Sequence, residues 1–292
     1  MTPSATPIIV ESISAVRSRV GSARREGHRI GLVPTMGALH EGHLSLVRHA
    51  RRRCEYIVVS LFVNPTQFVA GEDYESYPRT LDADVAMCRT EGVDLVFAPS
   101  VEEMYDPSAA TTVHVARLTE TLCGPHRPGH FDGVTTVVTK LFNIVQPDVA
   151  FFGQKDAQQA IVIRKMVRDL DMPVEVVVCP TVREPDGLAM SSRNRYLSAE
   201  QRQQALCLYR SLQEARRAIE EGQRDTRVLT TRMRRIIEAA GPCAIDYVEV
   251  VHPETLERVE HVNGAVLIAV AVRIGKARLI DNILVDPAEL SM

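Results

Sequence analysis

From Arg29 to about residue 180, short apolar runs of strand type alternate with stretches of helical period, and this alternation constrains the fold more than any other feature. The strand-type runs are "RIGLV" (Arg29 to Val33), "YIVVSLFV" (Tyr56 to Val63), "DLVFAP", "DVAFFG" and "PVEVVVCP". The second is apolar throughout, as a strand covered on both faces should be. Between them lie a helix from about Gly42, "TLDADVAMCRTEG" closed at Gly92, "GVTTVVTKLFNIVQ", and "DAQQAIVIRKMVRDL". In the last, Ile161, Ile163, Met166, Val167 and Leu170 recur at roughly helical spacing. Strands separated by helices of this length predict an α/β fold with a parallel, doubly wound sheet.

After about Glu184 the pattern changes. Ser198 and Gln201 form a capping-box signature, and the helix that follows buries Ala205, Leu208, Leu212, Ala215 and Ile219 before Gly222. A second helix uses Leu229, Met233, Ile236 and Ala240 and stops at Gly241-Pro242. Three consecutive strand-like runs follow, "AIDYVEVV", "AVLIAVAVR" and "ARLIDNILV". Helices and then strands predict a smaller C-terminal α+β domain with an antiparallel sheet. The boundary is set between a catalytic domain, 1–184, and a C-terminal domain, 185–292.

Composition narrows the class. A net charge of −3 over 292 residues gives no field that recruits nucleic acid. No apolar run approaches the roughly 20 residues that span a bilayer, and the N-terminus lacks the pattern of a signal peptide. The expectation is a cytoplasmic protein with no membrane and no nucleic-acid partner. The six cysteines are scattered without a CxxC pair, which excludes a zinc ribbon and a redox dithiol.

The chemistry is expected beyond the carboxyl ends of the strands, where open parallel sheets bind ligands. "PTMGALHEGHLSLV" lies there, leading from the first of these runs into a helix. A helix start offers unpaired N–H groups and partial positive charge, which suits phosphate. Gly37 and Gly42 admit a ligand close to the backbone, and His40 and His43, one turn apart, can face the same phosphate or serve as a helix cap and a surface residue. Zinc is the weaker reading, because HExxH places its second His one position later, and neither GxGxxG nor GxxxxGK[ST] occurs at this turn. The H-x-G-H pattern resembles the signature of class I aminoacyl-tRNA synthetases and related nucleotidyltransferases.

Four further stretches fall near it. "FFGQKDAQQ" brings Lys155, one of only four lysines, to a strand end, either as a point charge on phosphate oxygens or as a solvated surface lysine. Asp156 is open to three roles: capping the next helix, holding a ribose hydroxyl, or holding a metal. "REPDGLAMSSRNRYLS" offers two hydroxyls and a guanidinium in a Pro/Gly loop, as an anion clamp or as a plain linker. Asn64 and Gln67 in "VNPTQF" are neutral amides suited to a hydroxy acid, or to capping the loop at the Pro65 turn. His130 in "CGPHRPGHFDGV" is within reach of a site or an ordinary loop residue.

Together "PTMGALHEGH", "VNPTQF", "YPRT", "RPGHFDGV", "FFGQKD", "DGLAMSSRNRYL" and "ARLIDN" resemble the pantoate–β-alanine ligase (pantothenate synthetase) family, in its order and over most of the chain. The resemblance implies a Rossmann-like sheet of the HIGH-type nucleotidyltransferases. It implies an activity in which (R)-pantoate and ATP form pantoyl adenylate and pyrophosphate, and β-alanine then gives pantothenate and AMP. It places Met36, Gly37, Ala38, Leu39, His40, Glu41, Gly42 and His43 around ATP, with His43, His40 and Lys155 catalytic. Gly153, Gln154, Asp156 and Val182 would border the nucleotide, and Met190, Ser191, Ser192 and Arg193 would match the synthetases' KMSKS loop. Gln67 and Gln159, with Asn64 and His130, would hold pantoate or β-alanine. Mg²⁺ would bridge phosphates near Asp84, and the enzyme would be a homodimer. The sequence departs from the family's common pattern at Ala157, usually aromatic, at Gln154, often Glu, and at Ala83, which thins the acidic cluster to Asp82 and Asp84. Two rivals are a nucleotidyltransferase acting on a phosphoester and a nucleotide-binding regulatory or RNA-binding module; the first needs a basic pocket where Asn64, Gln67 and Gln159 stand, and the second a basic stripe.

Overall fold

The computed structural model describes residues 6–290. They divide into two compact units. The first comprises residues up to Ala116, Arg127–Gln154 and Gln159–Pro180; the second comprises Arg117–His126, Lys155–Gln158 and the chain from Thr181. A single cut after residue 184 does not describe this division, because two short internal segments belong to the second unit.

The first unit contains β1 (Ile8–Val10), α1 (Ile13–Arg25), β2 (Ile30–Thr35), α2 (Glu41–Arg51), β3 (Tyr56–Leu61), α3 (Leu81–Thr90), β4 (Leu95–Phe97), α4 (Val101–Met104), α5 (His130–Val145), β5 (Val149–Gly153), most of α6 (Ala157–Asp169), and β6 (Glu175–Cys179). Its six strands are all parallel in the order β1-β4-β3-β2-β5-β6. The chain moves outward from β2 through β3 and β4 on one side and through β5 and β6 on the other, so the topology switches between β2 and β5. That crevice is where open α/β sheets take ligands. The sheet carries Val33, Ile57, Val59, Val96, Val149 and Phe151 in one buried cluster with Leu46, Val47 and Ala50 of α2.

Three local readings need correction. Strand β3 ends at Leu61, two residues early: Phe62 N–H still makes a ladder bond to Thr35 O (3.1 Å), and Asn64 then caps a 3-10 turn over Pro65–Gln67. Leu170 lies beyond α6 and is 53% exposed, while Val162 joins Ile163 and Met166 in the core. Strand β1 and helix α1 precede the alternation read from the sequence and extend it, with Ser12 capping α1 and Val16, Val20 and Ala23 forming its buried stripe.

The second unit holds α7 (Ala199–Gln204), α8 (Leu206–Glu220), α9 (Thr226–Ala239), the antiparallel sheet β7 (Ala244–Val251), β8 (Val266–Ile274) and β9 (Ala277–Val285), and α10 (Pro287–Leu290). The Ser198–Gln201 capping box forms, and Gly222 follows the end of α8 with φ 95°. Helix α9 buries Leu229, Met233 and Ile237; Ile236 is half-buried and Ala240 exposed, so its apolar stripe follows i, i+4, i+8. These residues pack with Leu208, Leu212 and Ile219 of α8 and with Ile268 and Val270 of β8.

Candidate active site

The turn between β2 and α2 is built by a buried carboxylate. Gly37 (φ 79°) and Ala38 (φ 49°) are both left-handed, a conformation that costs a non-glycine residue about 1–2 kcal/mol. The N–H groups of Ala38 and Leu39 donate to the two oxygens of Asp84 at 2.9 and 2.8 Å, and Thr80 Oγ1 donates to Oδ2 at 3.2 Å. Asp84 is only 2% exposed. Its oxygens are committed to the turn, and no cluster of three His, Cys, Asp or Glu suited to a metal exists among the described residues. Asp84, the expected metal contact, serves here as a clamp on the loop. Mg²⁺ keeps most of its waters and commonly travels on substrate phosphates, so the residues here form no protein cage for it.

His40 is the N-cap of α2 and His43 its third residue, and together they close a capping box. Gly42 N–H donates to His40 Nδ1 (3.1 Å) and His40 N–H donates to His43 Nδ1 (3.3 Å). A neutral imidazole that accepts at Nδ1 carries its proton on Nε2. Both rings therefore hold Nε2–H as a donor, with centroids 4.1 Å apart. Sequence reasoning paired these histidines but not the tautomer their caps impose. The Glu41 side chain turns along the exposed face of α2 to Arg48, which also bonds Glu91 (2.5 Å), so only the backbone of Glu41 belongs to the turn.

The amide cluster sits on the turn after β3. Asn64 is 1% exposed, and its groups are all used: Nδ2 donates to Gln67 Oε1 and Gly133 O (both 3.2 Å), and Oδ1 accepts from Tyr105 Oη (2.8 Å) and Thr66 Oγ1 (3.0 Å). Gln67 Nε2 reaches Met36 Sδ at 2.8 Å, which ties this turn to the loop before α2. His130 Nδ1 meets Gln67 O (2.6 Å), and its Nε2 faces Arg127 Nη1 (2.8 Å). Because Arg127 is a donor, the His130 proton lies on Nδ1 and donates to Gln67 O. Arg127 is held in turn by Glu72 through two bonds of 2.6 Å. Asn64 and His130, expected at the pantoate or β-alanine site, both brace Gln67. Gly133 is required for this approach: a Cβ there would lie 2.2 Å from Thr66 O.

In the second unit, Lys155 lies in a 3-10 turn, Gln154–Asp156, directly after β5 ends at Gly153. Its Nζ is 3.6 Å from Asp156 Oδ1. Gln158 is buried and fully used, accepting from Cys123 N–H (2.9 Å) and donating to Leu118 O (2.9 Å) and Thr121 O (2.8 Å). Gln159, its neighbour, belongs to the first unit and is half-buried. The segment expected as clamp or linker is a tied hairpin: Arg183 bridges Ala189, Met190 N–H donates to Val182 O (3.0 Å), and Asn194 Nδ2 donates to Ala189 O (3.1 Å). Ser191 caps the following turn, accepting from Arg193 N–H at 3.3 Å. Arg202 pairs with Glu184 (2.6 Å) and Asp186 (2.8 Å), fixing the hairpin tip.

A parallel sheet switching at β2 and β5, with two imidazole Nε2–H donors and a helix start at that switch, defines a Rossmann-like α/β domain with an anion-binding crevice. The family described as pantoate-beta-alanine ligase matches residues 8–284. Pantothenate synthetase of Acetivibrio thermocellus is 54% identical over 278 residues, covering 95% of this chain and 99% of its own; that of Heliobacterium modesticaldum is 57% identical over 278 residues, covering 95% and 99%. The crystal structure of pantothenate synthetase from Thermus thermophilus superimposes with a TM-score of 0.90 at 48% identity, over 94% of this chain and 98% of that one. Pantoate-beta-alanine ligase from Francisella tularensis, solved in complex with beta-gamma ATP and beta-alanine, does so with a TM-score of 0.79 at 34% identity, over 96% and 99%. The chain belongs to the pantoate–β-alanine ligase family, an enzyme family of carbon–nitrogen ligases, and the phosphoester-transferring alternative is not supported. Among the described residues no helix is long and apolar enough to cross a membrane.

Proposed function

We propose that this chain condenses (R)-pantoate with β-alanine at the expense of ATP. In the first step a pantoate carboxylate oxygen attacks the α-phosphorus, the bond to the β-phosphate oxygen breaks, and pyrophosphate leaves. In the second, the β-alanine amine attacks the acyl carbon of pantoyl adenylate, the bond to AMP breaks, and the amine proton is lost. The observation that carries the reading is the pair of Nδ1-capped imidazoles, His40 and His43, at the start of α2. Their Nε2–H groups are donors to phosphate oxygens in both ground and transition states, at no cost in tautomer exchange.

In-line displacement at phosphorus rests on positioning and charge stabilisation. His43 serves the α-phosphate and His40 its neighbours. The backbone of Met36, Gly37, Ala38, Leu39, Glu41 and Gly42 cradles the nucleotide, with Gly153, Gln154, Asp156 and Val182 along it. Lys155 and Arg193 supply cationic donors and Ser191 and Ser192 hydroxyl donors to the phosphates, with Met190 bordering the nucleotide in the same loop. Gln67 and Gln159 hold pantoate; Asn64 and His130 act through Gln67. Mg²⁺ enters on the ATP phosphates as part of the substrate, in keeping with the absence of a protein cage among the described residues. We further propose a cytoplasmic homodimer, supported by the family resemblance; light scattering at twice the 32.4 kDa chain mass is the expected result, and the monomer mass would contradict it.

A coupled assay tests the reading. AMP release that requires ATP, pantoate and β-alanine together supports it. AMP release indifferent to β-alanine, or turnover of a phosphoester with pyrophosphate as the only small product, overturns it.

A further inference from the structure

Adjacent residues of β9, Asp281 and Asn282, are both buried, at 3% and 4% exposure. Neighbours on a strand point to opposite faces, so two buried polar side chains in succession need two separate sets of partners. Asp281 takes Arg183 in a two-pronged pair, Nη1 to Oδ2 at 2.6 Å and Nη2 to Oδ1 at 2.9 Å. Arg183 also donates to Gly187 O (3.1 Å) and lies 4.2 Å over the Tyr209 ring. It is the first bridge residue of the hairpin that delivers Met190, Ser191, Ser192 and Arg193. On the other side, Asn282 Nδ2 donates to the backbone carbonyl of Lys155 at 2.9 Å. Both partners belong to the second unit. Strand β9 is itself fixed along its length by β8, with Val270 opposite Asp281 and Ala269 opposite Asn282. One rigid strand thus grips the root of a lysine and the base of a serine–arginine loop.

We propose that Asp281 and Asn282 are positioning residues that set Lys155 and the Met190–Arg193 loop in one register for the nucleotide phosphates, an inference that rests on the function proposed above. Lysine has a flexible four-carbon stem and binds as a point charge, so where its charge falls depends on where its backbone is anchored. The Asn282 bond supplies that anchor within the turn Gln154–Asp156. The Asp281–Arg183 pair does the same for the hairpin base. Neither side chain needs to touch a substrate.

The test is a double-mutant cycle on steady-state AMP release, with ATP, pantoate and β-alanine varied in turn. Asn282→Asp keeps the shape and replaces the donor by an acceptor facing Lys155 O. It is expected to lower kcat/KM for ATP about 10- to 100-fold, as a displacement of about 1 Å does, with KM for pantoate and β-alanine within about 2-fold of wild type. In a Lys155→Ala background the same change is expected to add less than about 3-fold, because its effect passes through the lysine. Equal losses in both backgrounds, a parallel rise in all three KM values, or wild-type kinetics would overturn the proposal. Should Asn282→Asp fail to show a cooperative thermal transition, Asn282→Ser takes its place in the same cycle and is judged by the same outcomes. Wild-type protein without β-alanine-dependent AMP release overturns the function itself; wild-type activity together with a normal Asn282→Asp variant overturns only the positioning role.

Discussion

Asp84 holds Ala38 in a left-handed conformation: its carboxylate accepts the Ala38 N–H at 2.9 Å while its other oxygen accepts Leu39 N–H at 2.8 Å. The turn that leads to His40 and His43 is therefore shaped from α3, some 45 residues further along the chain.

Removal of this clamp leaves two buried N–H groups without acceptors. Asp84→Ala is expected to lower stability by roughly 2–4 kcal/mol and to reduce adenylation. Asp84→Asn retains one acceptor and loses less. Urea denaturation reads the first effect. A Mg²⁺ titration of Asp84→Asn activity separates clamp from ligand: an unchanged Mg²⁺ midpoint is expected, and a large rise in the Mg²⁺ requirement would restore Asp84 as a metal contact.

Loss of one charge-stabilising donor typically costs about 10²- to 10³-fold. His43→Ala is expected to slow adenylation by about that factor with the fold intact, since the Nδ1 cap it removes is worth far less. Rapid-quench measurement of pyrophosphate formation checks this, and near-wild-type rates in that variant would remove His43 from the chemistry.

Lys155→Ala is expected to raise KM for ATP and lower kcat together, because an ammonium on phosphate oxygens acts in both ground and transition states. Steady-state kinetics with ATP varied at saturating pantoate measures both. A change in the pantoate KM alone would reassign the lysine to the acid.

Gly187 sits at φ 98°, and a Cβ there would fall 2.2 Å from the Tyr209 ring. Gly187→Ala combines a strained backbone with a clash and is expected to cost roughly 2–4 kcal/mol. The double variant Gly187→Ala with Tyr209→Ala relieves the clash but not the backbone, so thermal unfolding should recover only part of the loss.

Burial pushes the thiol of Cys88 up to about 12 and those of Cys179 and Cys207 up to about 11, from an ordinary 9.0. A raised folded-state pKa means the unfolded chain releases these protons first. Their contribution to stability is thus complete below pH 9 and declines as pH rises toward 11–12. Denaturant midpoints measured from about pH 8 upward should fall above the ordinary thiol range, and Cys88→Ala should flatten part of that fall.

Much of this was legible in the chain. The period of apolar residues disclosed the parallel sheet and the small antiparallel one, because burial on a strand or helix leaves its spacing in the sequence. The helix start at Ser198 was readable from capping chemistry. What stayed hidden was long-range pairing. Nothing local says that Asp84 serves Ala38, that Asn64 and His130 spend their hydrogen bonds on Gln67 and its neighbours, or that Asn282 reaches Lys155 across 127 residues. A polar residue near a site in sequence has the same chemistry whether it faces the ligand or braces the residue that does. The place of Lys155–Gln158 in the second unit was hidden for the same reason, since this segment leaves its sequence neighbours for partners far away in the chain.

The central claim is that the pantoate carboxylate attacks the α-phosphorus of ATP. Pantoate labelled with ¹⁸O in its carboxylate, turned over with ATP and β-alanine, reads this by mass spectrometry of the products. The account predicts one ¹⁸O in each AMP and none in pyrophosphate. Unlabelled AMP, or label in inorganic phosphate with ADP as co-product, would contradict it.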